Sequence, residues 1–174
     1  MAASSRMSHV PPALFVALTE LVPELYVHCA EPWCVIGSAG ARMLGAEVDV
    51  ADVDVLVSRA DAATLIARWA DRSDTIHAPA DGDRFRSHFA RFRFPGMPVE
   101  VMGGLELHDD AGWQPVSPGK LVLVGLQGLA VPVPALDEQI RIFESFGRDK
   151  DRVRAAALRA LRQPASVLPI VSSS

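Results

Sequence analysis

From Val10 to Leu25 the chain is apolar at helical intervals, with Leu14, Leu18, Leu21 and Leu25 on one stripe and Glu20 and Glu24 off it. The pattern predicts an amphipathic helix opened by Pro11 and Pro12, which suit a first turn, and kinked or divided at Pro23. Trp33 to Ile36 is a continuous apolar run and predicts a short buried strand. Gly37-Ser38 breaks it, and Ala39 to Leu44 fits a short helix ended at Gly45. Asp52 to Ser58 alternates and then becomes apolar, the pattern of a strand, before Asp61 to Arg72 returns to helical spacing through Leu65, Ile66 and Trp69. His88 to Phe94 sets Ala90, Phe92 and Phe94 against Arg91 and Arg93, a strand half open to solvent. Pro95-Gly96 turns the chain into a partner strand at Val99 to Met102. Lys120 to Val124 and Leu129 to Val133, around Gly125 and Gly128, predict a second hairpin. Leu136 to Phe146 is helical, with Leu136, Gln139, Ile140 and Phe143 in one stripe and Gly147 at its end. A last helix spans Asp149 to Arg162, before Pro164.

These elements fit one domain over residues 10–164, between a small polar tail at 1–9 and a loose tail at 165–174. A net charge of −4 argues against a broad electrostatic grip on nucleic acid, although the arginines from Arg148 to Arg162 would offer RNA a local basic face if they are not simply solvated. Cys29 and Cys34 match no zinc spacing and suit reduced thiols of a cytoplasmic protein. No apolar run is long enough to span a bilayer, and the acidic Val10–Leu25 segment does not resemble a signal peptide, so no membrane partner is expected. His28, His77, His88 and His108 are scattered without metal-ligand spacing. Trp113, after the turn Asp109 to Gly112, suits a core edge better than a base-stacking role.

The chemistry concentrates in three places. Asp52 and Asp54 alternate with valines, which puts two carboxylates on one face of a strand about 6–7 Å apart. Like charges held so close repel, and a divalent cation such as Mg²⁺ turns the repulsion into coordination. Glu100 lies between Val99 and Val101; if the valines face the core, Glu100 faces a cleft. If its strand neighbours the Asp52–Asp54 strand, three acids converge and suit two metal ions used for in-line phosphoryl transfer. Gly37 permits a tight turn, and Ser38 with nearby amides suits phosphate oxygens.

With these residues in place the chain resembles the nucleotidyltransferase superfamily that includes DNA polymerase β, in its small bacterial form. The matching residues are Gly37 and Ser38, then Asp52 and Asp54, then Glu100. The resemblance implies an α/β (α+β) fold: a mixed twisted sheet flanked by helices, with short C-terminal helices. It implies two Mg²⁺ ions held by Asp52, Asp54 and Glu100, and transfer of a nucleoside monophosphate from an NTP to an acceptor hydroxyl. Gly147 to Asp151 resembles a turn in some small members whose lysine reaches the site, so Arg148 or Lys150 would contact triphosphate. Thirteen residues separate Ser38 from Asp52, more than in the commonest minimal members. Asp49 stands at the shorter spacing but completes no Asp-x-Asp pair, and is kept as a supporting residue.

Each residue also has a plainer role open to it. Glu100 would pair with Arg91 or Arg93; Arg148 and Lys150 would pair with Asp149 and Asp151; Arg84, Arg86 and Ser87 suit a solvated loop slightly better than phosphate or acceptor contact. For the whole chain the alternative is a non-catalytic or protein-modifying partner in a toxin–antitoxin pair. The acceptor is open among small molecule, protein and RNA, and a protein partner or homo-oligomer would complete a shallow acceptor site.

Overall fold

The computed structural model describes residues 10–74 and 82–162. The predicted tails, Pro164 and His77 lie outside them. The described elements are α1 (Pro12–His28), β1 (Cys34–Ile36), α2 (Gly37–Met43), β2 (Val53–Val57), α3 (Arg59–Arg68), β3 (Phe85–Phe92), β4 (Val99–Asp109), β5 (Gly112–Pro115), β6 (Leu121–Leu126), β7 (Leu129–Pro134), α4 (Leu136–Phe146) and α5 (Asp149–Ala160), with a 3₁₀ turn at Ala70–Arg72.

The main sheet runs β1-β2-β4-β3, and β5 pairs with the far half of β4. β2 and β4 are parallel, while β1–β2, β3–β4 and β4–β5 are antiparallel, so the sheet is mixed, as expected. Period-two alternation divides its faces. Val35, Val53, Val55, Val57, Val99 and Val101 pack with the Leu14–Leu25 stripe of α1 and with Ala62 and Leu65 of α3. Each such side chain contributes about 1.5–3 kcal/mol by leaving water. On the other face Cys34, Ile36 and Leu56 pack with Ile142 and Phe146 of α4, and α4 in turn packs on α2 and α5 through Ala41, Ile140, Phe143, Ala155 and Leu158. β6 and β7 form the second hairpin, joined at Gln127-Gly128, both at positive φ as a two-residue turn requires.

Several boundaries differ from expectation. Pro23 does not divide α1. A proline forfeits one backbone bond, and the buried stripe continues on both sides of it. Gly37 and Ser38 are not a break before a helix but the first turn of α2. Arg86 and Ser87 belong to strand β3, not a loop, and Arg84 directly precedes it.

β4 runs seven residues past Met102, to Asp109. Gly103-Gly104 looks like a stop but carries a β-bulge. The ladder passes from His88↔Gly103 to Arg86↔Glu106, one residue on β3 against two on β4. Gly104 adopts φ +59°, and both glycines press on α3, where Cβ atoms would collide with Arg59 and Ala62. The bulge reverses the parity of β4. Val99 and Val101 face the α1–α3 core, whereas Leu105 and Leu107 join Met102 on the α4 side.

Candidate functional site

The register places the acids. Asp54 of β2 is the ladder partner of Glu100 in β4, and Glu100 is the partner of Arg91 in β3. Residues opposite each other share a face, so Asp54, Glu100 and Arg91 form one row across three strands. Asp52, the residue before β2, lies beside them, and all four line one cavity of about 640 Å³. The cavity opens between the α4 face of the sheet and the start of α5, and Gly37, Ser38, Asp49, Arg148, Lys150 and Arg154 complete its polar side.

Arg91 draws the acids together. Its guanidinium bonds Glu100 and lies 3.4 Å from Asp52 and 3.8 Å from Asp74. Burial, then the charges of Asp52 and Glu100, then a hydrogen bond with Glu100 hold the Asp54 carboxyl well above the ordinary range, with Arg154 pulling the other way.

Gly37 makes the closest backbone approach. It sits at φ +66°, and a Cβ there would run into the Asp54 carboxylate. Ser38 is 3% exposed. At the other side Arg148 caps α5: its Nε lies 2.6 Å from Asp151, and its backbone N–H donates to the same carboxylate at 3.3 Å. Asp151 is buried and also lies 3.6 Å from Arg154. The pairing expected of Arg148 with Asp151 is thus present, while its guanidinium also covers the Phe85 ring at 5.0 Å. Arg84 ties the end of α4 to β3 by donating to the Phe146 carbonyl at 2.7 Å, and Arg86 pairs with Glu106 and stacks on Trp113 at 4.4 Å.

The residues singled out in the sequence, Gly37, Ser38, Asp52, Asp54, Glu100, Arg148 and Lys150, all reach this one cavity, and so do Asp49 and Arg86. Arg84 is not among its lining residues. Sequence reasoning missed Arg154, which lies four residues after Lys150 and so on the same helical face. It also missed the apolar wall: Phe85, Phe89, Met102, Leu105, Phe143 and Phe146. The alternation Phe85, Ser87, Phe89, Arg91 is the signal that could have found two of the six.

No family model and no curated protein matches the sequence. Solved structures match it in fold. A candidate nucleotidyltransferase from Thermotoga maritima is 21% identical, with a TM-score of 0.62 over 83% of this chain and 89% of that one. The chain shares its fold with that protein. The lincosamide antibiotic adenylyltransferase LnuA, with lincomycin bound, shares it at 9% identity and a TM-score of 0.55, over 87% of this chain and 98% of that one.

Among the described residues, no three His, Cys, Asp or Glu side chains stand arranged as a metal cage. Arg91 lies between two of the acids, bonded to Glu100 and 3.4 Å from Asp52. The donor chemistry nevertheless suits a hard cation such as Mg²⁺. The candidate ligands are all carboxylates, the hard oxygen donors that Mg²⁺ takes.

Proposed function

We propose that this chain transfers a nucleoside monophosphate from an NTP to an acceptor hydroxyl. The observation that carries the proposal is the row Asp54–Glu100–Arg91, with Asp52 beside it, in a cavity that also holds Ser38, Lys150 and Arg154. A crowded set of acids facing a set of cations suits a metal-bound polyphosphate. An adenylyltransferase that binds a lincosamide shares the fold, which supports a small-molecule acceptor.

Asp52, Asp54 and Glu100 would hold Mg²⁺, two ions in the full set. When bound, the metal would supply charge neutralisation at the α-phosphate and lower the pKa of the acceptor hydroxyl. Ser38, Lys150 and Arg154 hold the β- and γ-phosphates and stabilise charge on the leaving pyrophosphate. The acceptor oxygen forms its bond to the α-phosphorus as the bond to the β-phosphate bridging oxygen breaks. Glu100 takes the hydroxyl proton, with Arg91 bonded beside it.

Pyrophosphate release tests this, with thermal shifts against each NTP in Mg²⁺ or EDTA. Asp54→Asn should lower release by about 10²–10³-fold or more and remove the Mg²⁺-dependent part of the NTP shift. Parent-like turnover by a folded Asp54→Asn variant would end the proposal.

A further inference from the structure

Nucleotidyl transfer leaves the acceptor open, and the half of the cavity away from the acids bears on it. One pleat beyond the row Asp54–Glu100–Arg91, the same ladders align Leu56, Met102 and Phe89, about 6–7 Å farther along the strands. The bulge at Gly103-Gly104 then brings Leu105 to this face. Phe85 and Phe146 close the wall edge to face, with centroids 4.9 Å apart. Phe85, Phe89 and Met102 line the cavity and stay half-buried. Apolar surface left open inside a concavity, next to a few convergent polar groups, is the surface a ligand's apolar body covers. At about 640 Å³ the cavity falls within the range that holds a drug-sized ligand.

The charges around this wall narrow the choice. They are the guanidinium groups of Arg86, Arg91 and Arg148. Beyond the three central acids, the acids among the described lining residues are Asp49 and Asp151, and Asp151 is buried in ion pairs with Arg148 and Arg154. Asp151, already paired with Arg148 and Arg154, offers this wall no anchor for a polycationic acceptor. A polyanionic strand would need a basic track, yet Arg86 is engaged by Glu106 and Arg148 by Asp151. In-line displacement adds direction: with pyrophosphate leaving on the Ser38, Lys150 and Arg154 side, the attacking hydroxyl comes from the Glu100 side, over Met102 and Phe89.

We infer that the acceptor is an uncharged hydroxy compound with a flat apolar face, seated on Phe85, Phe89, Met102 and Leu105 with its hydroxyl toward Glu100. This rests on the nucleotidyl-transfer reading. The test follows transfer of label from α-labelled NTPs, in Mg²⁺, to three probe sets: uncharged aryl glycosides and aryl alcohols, a polycationic aminoglycoside, and a short single-stranded RNA. Labelled product is expected with the first set alone. Phe89→Ser should raise the KM of the best aryl probe about tenfold, equivalent to about 1.4 kcal/mol. Phe89→Leu should restore it, and the KM for NTP should stay within about twofold in both, well under one such factor. Label on the aminoglycoside or the RNA, or a Phe89→Ser effect on the NTP rather than the acceptor, would overturn the inference. If no probe is labelled while NTP and Mg²⁺ still raise the melting temperature, the acceptor class is wrong and nucleotidyl transfer stands. If that thermal shift is missing as well, the underlying reading fails.

Discussion

Arg91 of β3 and Glu100 of β4 stand directly opposite each other in the ladder, and the arginine's guanidinium bonds the glutamate's carboxylate. Both side chains are 16% exposed, and the same guanidinium reaches Asp52. One side chain thus supplies positive charge to the acid cluster from within the fold. Arg91→Met removes it and leaves those carboxylates short of a partner. In EDTA the variant should lose about 2 kcal/mol of stability, the scale of a buried charged hydrogen bond left unmade. Millimolar Mg²⁺ should return most of the loss, because a divalent ion and the guanidinium answer to the same acids. Urea denaturation in the two media measures it, and an equal loss in both would separate Arg91 from the metal question.

Asp54 should make stability fall with rising pH. Burial and the neighbouring charges of Asp52 and Glu100 raise its carboxyl well above the ordinary range. The folded protein therefore keeps a proton that the unfolded chain releases near the ordinary aspartate value of ~3.9. Stability declines from there up through the raised value. Asp54→Asn has no such proton to lose. Its urea midpoint in EDTA should exceed the parent's by a margin that widens as pH rises above the ordinary aspartate value and levels off beyond the raised one, and Mg²⁺ should narrow the margin. A margin independent of pH would show that Asp54 carries no such strain.

Asp61 works in the opposite sense. It is 4% exposed and accepts backbone N–H bonds from Ala30 at 2.9 Å and Glu31 at 3.0 Å, fastening the connection between α1 and β1. Burial alone would raise its carboxyl, but those two bonds and the Ser58 hydroxyl outweigh it and hold the carboxyl below the ordinary range. A lowered value stabilises the fold above the ordinary aspartate pKa, and the stabilisation is lost as pH falls through the lowered one. Asp61→Asn should cost about 1–3 kcal/mol at neutral pH. The cost should shrink in strong acid, where both proteins carry a neutral group. Denaturation midpoints at the two pH values decide it, and a cost that is the same at both would mean the charge is not what fastens the loop.

Local patterns carried the helices and hairpins, and their limits have physical causes. Val99, Glu100 and Val101 alternate plainly, so a strand with an inward acid was legible. That the strand lies parallel to β2, with Glu100 beside Asp54, was not: α3 and β3 intervene in the chain, and nothing local encodes that pairing. The resemblance to a known superfamily carried that expectation. The strand predicted at Val99 to Met102 stops at Gly103-Gly104, whose bulge carries the ladder on, and that hid the second half of β4, all of β5 and Leu105 at the cavity wall. The pair Arg91–Glu100 was one of two alternatives for Glu100, and the structure shows both placements at once: a cross-strand ion pair inside the cavity.

Gly37 and Gly147 offer a matched comparison between backbone strain and steric placement. Both adopt φ +66°, so an alanine at either should cost about 1–2 kcal/mol of left-handed strain. Their surroundings differ. A Cβ on Gly147 would come no closer than 3.6 Å to the Glu144 carbonyl, an ordinary contact at the end of α4. A Cβ on Gly37 would strike the Asp54 carboxylate, which has Asp52 and Glu100 around it and little room to retreat. Gly147→Ala should thus lower the melting temperature while keeping pyrophosphate release within a few-fold of the parent. Gly37→Ala should lower stability by at least as much and cut release about 10²-fold or more, because a displaced carboxylate would no longer be placed to hold Mg²⁺ at the α-phosphate. If both alanines weakened the fold equally and neither slowed turnover beyond that, the close packing of Gly37 on Asp54 would be a feature of folding alone.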